Sequence, residues 1–208
     1  MNTFKSILVV LLLFVFFTGQ GQETEKASKF NIIGYGGIGF AMVENNNEPN
    51  YNLNSNSGDI LLNYKLNEKI GFATGIGINE LSGNGFNTLG NFYHERSYLK
   101  IPALVTMSSE VLNNFNVVVS IGLYGQTIIK DSYRYLNETE KNLYSGWNLG
   151  AQFGVGFLFN MLPNFQVGMH YNGLSDFSKI STESNQAITD KQKLKNVNTV
   201  GIIFSISL

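Results

Sequence analysis

The chain has 208 residues, of which only 14% are charged, with 22 glycines, 13% aromatic residues and no cysteine. Ordinary globular proteins carry about 25% charged residues, so much of this surface is not built to meet water. The net charge of −1 gives no hint of a nucleic-acid partner, which would want a basic face. Without cysteine there are no disulfides, thiolate metal sites or lipoprotein modification.

The N-terminus reads as an address rather than as structure. Lys5 supplies a positive start, Ile7 to Phe17 is an unbroken apolar run, and Gly19-Gln20-Gly21 offers a small-x-small cleavage site. Residues 1–21 are therefore expected to be a cleaved signal peptide, with Gln22 opening the mature chain. A transmembrane anchor is the competing reading, but the run is short of the ~20 residues a helix needs to span a bilayer. Residues 22–29 are polar and are expected to be a periplasmic lead-in.

From Phe30 onward the pattern has a period of two, as in strands whose side chains alternate between faces. The first predicted strand, Phe30 to Val43, sets Ile32, Ile38, Phe40 and Met42 against Asn31, Tyr35, Gly37 and Gly39. Gly34 and Gly36 fall on its apolar side. The second, Gly58 to Leu66, alternates Ile60, Leu62 and Tyr64 with Asp59, Asn63 and Lys65. The third is Ile70 to Leu81. The fourth, Tyr98 to Met107, has Leu99, Ile101, Ala103, Val105 and Met107 on one face. Pro102 sits in the middle of that strand with no N–H to give, which predicts a local bulge.

The fifth strand is Phe115 to Ile128. The sixth, Gly146 to Phe159, places Trp147, Leu149, Ala151, Phe153, Val155, Phe157 and Phe159 opposite Asn148, Gly150, Gln152, Gly154 and Gly156. The seventh is Phe165 to Leu174, and the eighth ends the chain, with Val200, Ile202, Phe204, Ile206 and Leu208 opposing Thr199, Gly201, Ser205 and Ser207. Connections at Glu44–Ser57, Ser82–Glu95, Lys130–Ser145 and Asp176–Lys195 are long and hydrophilic and read as loops. Those at Asn67–Lys69, Ser108–Asn114 and Asn160–Asn164 are short.

Eight strands with alternating long and short connections predict an all-β fold. The expected form is an eight-stranded antiparallel up-and-down transmembrane β-barrel over residues 30–208, in the cell outer membrane, with long outer loops and short periplasmic turns. A soluble barrel would turn its apolar face inward and need a Lys/Glu-rich outside. Here the opposite face is Gly, Ser, Asn and Gln, which suits a narrow, side-chain-filled lumen. Aromatics add two expected interfacial belts. One is Phe92, Tyr93, Tyr98, Tyr133, Tyr135, Tyr144 and Trp147; the other is Tyr64, Phe72, Phe115, Phe159 and Phe165.

Tyr98-Leu99-Lys100-Ile101-Pro102-Ala103-Leu104 resembles the Tyr-Leu-x-Ile-Pro-Leu-Leu strand of the PorT-like outer-membrane β-barrel family. Val119-Ser120-Ile121-Gly122-Leu123-Tyr124-Gly125 and His170-Tyr171-Asn172-Gly173-Leu174-Ser175-Asp176 resemble further segments of it, the latter with His170 where the family often has Arg. The resemblance runs from about Phe30 to Leu208 and implies the barrel fold. Its motifs build barrels and carry no chemistry. The family's namesake belongs to a protein secretion and gliding apparatus, while most members have no assigned role.

Gly34-Tyr-Gly36-Gly-Ile-Gly39 matches a dinucleotide fingerprint, but that motif works only where its last glycine opens a helix, and a strand is predicted here. His94 lies near Ser97 at the outer boundary, where a lipid-modifying barrel enzyme would place a histidine and a serine. Their opposite parity sets them on opposite faces, so His94 is expected in the aromatic belt. His170, Lys65, Lys100, Arg96 and Asp59 are expected inside the lumen, the charges paired into a plug.

No catalytic, cofactor-binding or metal-binding residues are assigned. The expected partners are outer-membrane lipid, the barrel assembly machinery during insertion, and envelope or extracellular proteins met through loop Lys130–Ser145. The expected function is non-catalytic: an envelope-structural or loop-mediated interaction role. Membership of a PorT-like secretion or gliding assembly is the alternative, and a lipid-modifying enzyme the third.

Overall fold

The computed structural model describes residues 28–182 and 189–208. The expected signal peptide, residues 22–27 of the lead-in and residues 183–188 of the last long connection lie outside them. The described chain is all β: β1 (Phe30–Asn45), β2 (Tyr51–Lys65), β3 (Ile70–Asn87), β4 (Gly90–Leu112), β5 (Phe115–Arg134), β6 (Thr139–Lys141), β7 (Trp147–Leu162), β8 (Phe165–Asp176), β9 (Ile180–Ser181) and β10 (Lys191–Ser207). Eight of these ten form the expected ring. Neighbours pair antiparallel in the order β1-β2-β3-β4-β5-β7-β8-β10, and β10 pairs back onto β1. Closure leaves no unpaired sheet edge, the requirement for β-structure in lipid. The two short strands extend the wall at one end, β6 on β5 and β9 on β10.

At the end with the short connections, the turns are built by local chemistry. The Asn67 carboxamide oxygen accepts from the Lys69 and Ile70 amides at 2.9 and 2.8 Å. Asn114 takes φ 67°, a left-handed conformation that asparagine tolerates.

The apolar side chains point outward. Ile38 is 72% exposed, and Phe40, Ile60, Ile76, Ile101, Ile121, Leu149, Phe157, Met169 and Ile202 stand with it around the barrel. Such a continuous apolar surface has no place in water and matches the lipid-facing band of a membrane barrel. Tyr64, Phe72 and Phe159 stand outward near the short turns as expected.

Above the band the two faces exchange character. Outward positions become Asn52, Asn54, Asn56, Glu80, Glu95, Ser97 and Lys130, while Val43, Leu53, Leu81, Phe92, Tyr133, Leu143 and Leu194 turn inward into a buried cluster. Two bulges lie at this transition. Asn196, at φ 52°, is the extra residue where β10 slips against β1, and Ile129 is the extra residue opposite the Ser97–Tyr98 step.

This extension corrects several expectations. Residues 44–45, 51–57, 82–87, 90–95, 130–134 and 191–195 are strand, not loop, so the strands run well beyond the apolar band, the connection between β1 and β2 shrinks to residues 46–50 and that between β3 and β4 to residues 88–89. Phe92, Tyr98, Tyr133 and Tyr144 are buried inside the barrel instead of forming an outer belt; Trp147 does face outward. Pro102 keeps its register with Tyr124 and needs no bulge. Its side chain points inward, its carbonyl accepts from the Thr74 hydroxyl at 2.8 Å, and the β3–β4 pairing is interrupted beside it, between Thr74–Ala103 and Gly77–Lys100. Gly34, on the outward side of β1, is covered by the ring of its partner Phe204.

Candidate functional site

The lumen is where the unusual side chains gather. From the short-turn end it begins as a polar vestibule of about 210 Å³ lined by Asn31, Asn63, Lys65, Thr106, Gln166 and Ser205, among others. Lys65 thus faces inward at the mouth, as expected. An apolar layer of Ile33, Leu61, Ala73, Leu104, Val118, Leu158 and Ile203 closes the vestibule.

Beyond that layer lies a buried ion pair. Asp59, Gly77 and Lys100 stand side by side on β2, β3 and β4, and the Lys100 ammonium donates to Asp59 Oδ2 at 3.0 Å. Both side chains are buried. Tyr35 is hydrogen-bonded to Thr199 at 2.7 Å, and its ring meets the His170 imidazole edge-on at 4.9 Å. His170 occupies the lumen as its parity required, against Gly154, where a β-carbon would collide with the ring.

The next level is organised by Asp176. Tyr124 and Gln126 donate to its Oδ1 at 2.7 and 3.0 Å, and Asn148 and the Leu194 amide donate to its Oδ2, both at 2.9 Å. Sequence reading placed Asp176 at the start of a polar loop. Its inward parity after Asn172 and Leu174 was the available signal.

At the outer end, above the lipid-facing band, His94, Arg96, Asp131, Tyr51, Tyr133 and Tyr144 form one buried network. Asp131 Oδ1 accepts from Arg96 Nε at 2.7 Å and from His94 Nε2 at 2.9 Å, and its Oδ2 accepts from the Tyr144 amide at 3.1 Å. With Nε2 donating, His94 Nδ1 is the acceptor for the Tyr51 hydroxyl at 3.0 Å. Arg96 Nη2 donates to the Tyr133 hydroxyl at 3.1 Å, and Tyr133 donates to Gln192 at 3.2 Å. The Tyr133 ring stacks on His94 at 4.0 Å, and the guanidinium lies 5.0 Å over Tyr144.

The electrostatics follow from burial and these partners. Burial, then the adjacent guanidinium, holds the His94 pKa down at about 4 against the pull of Asp131. Burial pushes Asp131 up, but Arg96 and the His94 hydrogen bond overcome it and hold the carboxylate at about 2. The cluster is therefore a neutral imidazole beside a charged Arg–Asp pair. His94 belongs to this interior and not to an outer belt, which corrects the expectation, whereas Ser97 faces outward among Glu95 and Lys130. The two residues a lipid-modifying enzyme would need together are on opposite sides of the wall.

Asp131–His94–Tyr51 has the order of an activated hydroxyl, yet all three side chains are buried and the Tyr51 ring is packed edge-on against Phe92 at 5.2 Å. The arrangement fills the outer end of the lumen with buried, hydrogen-bonded side chains. Gly34–Gly39 runs within β1 with no helix following, so no phosphate cradle forms there. Among the described residues no group of three or more His, Asp or Glu is placed to hold a metal.

Beside the outer end, an open groove of about 810 Å³ runs between the β3–β4 tip and the segment joining β5 to β6. Leu89, Tyr93, Arg134, Tyr135 and Leu136 line it, and Leu136 is 94% exposed. The Lys130–Ser145 connection contributes Arg134, Tyr135, Leu136, Asn137 and Glu138 to it. Asp131, Tyr133, Leu143 and Tyr144 of the same stretch belong to the interior.

No protein-family model matches the chain, and no curated protein sequence is significantly similar to it. Solved structures do match in shape. Neisserial surface protein A superposes with a TM-score of 0.55 at 10% identity, over 88% of this chain and 100% of its own. The outer membrane protein OprG of Pseudomonas aeruginosa gives 0.55 at 13% identity, over 88% and 98%. With its closed ring and outward apolar band, the chain thus has the fold of the small, up-and-down outer-membrane β-barrels.

Proposed function

We propose that this protein is a closed, non-catalytic barrel that works through the surface it raises outside the membrane, in an envelope-structural or interaction role. The observation that carries this reading is the filling of the lumen. An apolar layer, the Asp59–Lys100 level, the Asp176 level and the Arg96–Asp131–His94 network follow one another, each formed of buried side chains. Transport would require opening every level. The rim groove with Leu136 and Tyr135 supplies a surface for a protein partner.

Planar-bilayer recording tests the closed lumen: the folded protein is expected to give no conductance steps, and steady unitary steps would overturn it. Partner engagement is tested by replacing Leu136–Glu138 with Gly-Ser-Gly, which spares the buried Asp131 and Tyr144. Loss of a cross-linked envelope partner with the heat-modifiable folded band retained is the expected result; an unchanged cross-link pattern would contradict the assignment.

A role in a PorT-like secretion or gliding assembly is the second reading. What supports it is the resemblance of Tyr98–Leu104 and of the segment around His170, which here build the barrel wall and lumen. Normal secretion and motility after gene deletion would remove it.

A further inference from the structure

The outward face of β1 and β10 carries a one-sided charge pattern. Pairs rise from the apolar band in register: Gly36 with Ile202, Ile38 with Val200, Phe40 with Asn198, then Met42 with Lys195 and Glu44 with Lys193. Lys179, just before β9, leans over the same spot. The Glu44 carboxylate lies 3.0 Å from the Lys195 ammonium, 3.2 Å from Lys193 and 3.6 Å from Lys179. Lys179 also donates to the Asn46 carboxamide. Three ammoniums gathered on one carboxylate leave two positive charges unmatched among the described residues, and this holds Glu44 at a pKa of about 2 through Lys195 first and Lys193 next. On β4 and β5, by contrast, Glu95 sits between Lys130 at 3.4 Å and Arg134 at 3.7 Å with Glu80 beside them, so two acids face two cations there.

We propose that Lys179, Lys193 and Lys195 bind the phosphorylated headgroup of a glycolipid in the surrounding outer leaflet. The proposal rests on the reading of the chain as an outer-membrane barrel. A phosphate offers several acceptor oxygens and the charge that two unmatched ammoniums require, and lysine serves phosphate as a point charge. The position selects a lipid over a soluble anion. Directly below the lysines, Phe40, Ile38, Val200 and Ile202 form an exposed apolar stripe along which acyl chains can lie while the headgroup stays at the lysines. Glu44 positions the three stems and competes with the phosphate for them.

The test uses full-length protein folded into phosphatidylcholine nanodiscs containing a small fraction of diphosphoryl lipid A, with native mass spectrometry counting lipid A retained per barrel. Wild type is expected to retain it in preference to phosphatidylcholine. Lys179→Gln/Lys193→Gln/Lys195→Gln is expected to retain it at least about 10-fold less, because each lysine lost removes an attraction to the anionic headgroup. Lys195→Gln alone should show a partial loss, and Glu44→Gln should retain at least as much as wild type. Equal retention by the triple variant, or equal retention of fully dephosphorylated lipid A by wild type, would overturn the proposal. Insertion into phosphatidylcholine without lipid A is scored separately by the heat-modifiable gel shift. Failure of wild type at that step overturns the barrel reading and the lipid site with it.

Discussion

Lys100 on β4 and Asp59 on β2 meet at 3.0 Å although β3 runs between them, because the β3 residue at that level is Gly77. A β-carbon at Gly77 would collide with the Asp59 carboxylate and press on the lysine stem. Two charges removed from water are tolerated only as a pair, so the glycine is what permits this level of the plug. Gly77→Ala is expected to destabilise the barrel by about 1–3 kcal/mol, read from the urea midpoint in lipid vesicles. Gly36→Ala, whose β-carbon would meet nothing, is the control and is expected to leave the midpoint in place.

Removing one partner of that pair leaves a buried charge alone. Lys100→Met is expected to cost about 3–5 kcal/mol, while Asp59→Leu/Lys100→Met recovers most of the loss because an apolar pair fills the same space without desolvation. A double variant no better than Lys100→Met would mean that the lysine acts through packing rather than charge.

The eight-strand barrel was legible because the apolar band imposes a strict period of two, from Ile60-Leu62-Tyr64 on β2 to Trp147–Phe159 on β7. The same rule misled above the band. There lipid no longer selects the outward residue, so apolar side chains turn inward and Asn, Ser and Glu turn outward. In residues 51–57 the alternation is present, Tyr51, Leu53, Ser55 and Ser57 in and Asn52, Asn54 and Asn56 out, but with its sense reversed. Read by composition, the stretch looks like loop; read by period, it is strand. Phe92 and Tyr133 were misplaced for the same reason, and with them the network around His94. Arg96, Asp59, Lys100 and His170 were placed correctly because parity alone decides their side.

The outer network makes stability pH-dependent with a definite sign. An unfolded chain protonates His94 near its ordinary pKa of 6.5, whereas the folded protein does so only at about 4. Over that window the unfolded state binds more protons, so stability rises with pH and acidification removes about 3 kcal/mol. Asp131, held at about 2, adds a second loss as pH falls from its ordinary 3.8 towards 2. His94→Phe is expected to flatten the stability profile between pH 6.5 and 4 relative to wild type, measured by urea unfolding at each pH. An unchanged slope would show that His94 is not the group that titrates.

Tyr51→Phe removes the hydroxyl that donates to His94 Nδ1 and leaves that buried acceptor unmatched. A cost of about 1–3 kcal/mol is expected, with the apolar packing of the ring intact. Double-mutant analysis with His94→Phe separates the bond from the packing: the two losses should not add.

Trp147 is the single tryptophan of the chain, 57% exposed on the outward face at the upper edge of the apolar band. Its fluorescence in vesicles of brominated phosphatidylcholine therefore tests most directly whether the apolar face meets lipid. Strong quenching by lipids brominated near the headgroup, weaker quenching by lipids brominated deep in the chain, and poor access for aqueous acrylamide are the expected results. Full access for acrylamide with no response to bromolipid would place Trp147 in water and contradict the membrane barrel.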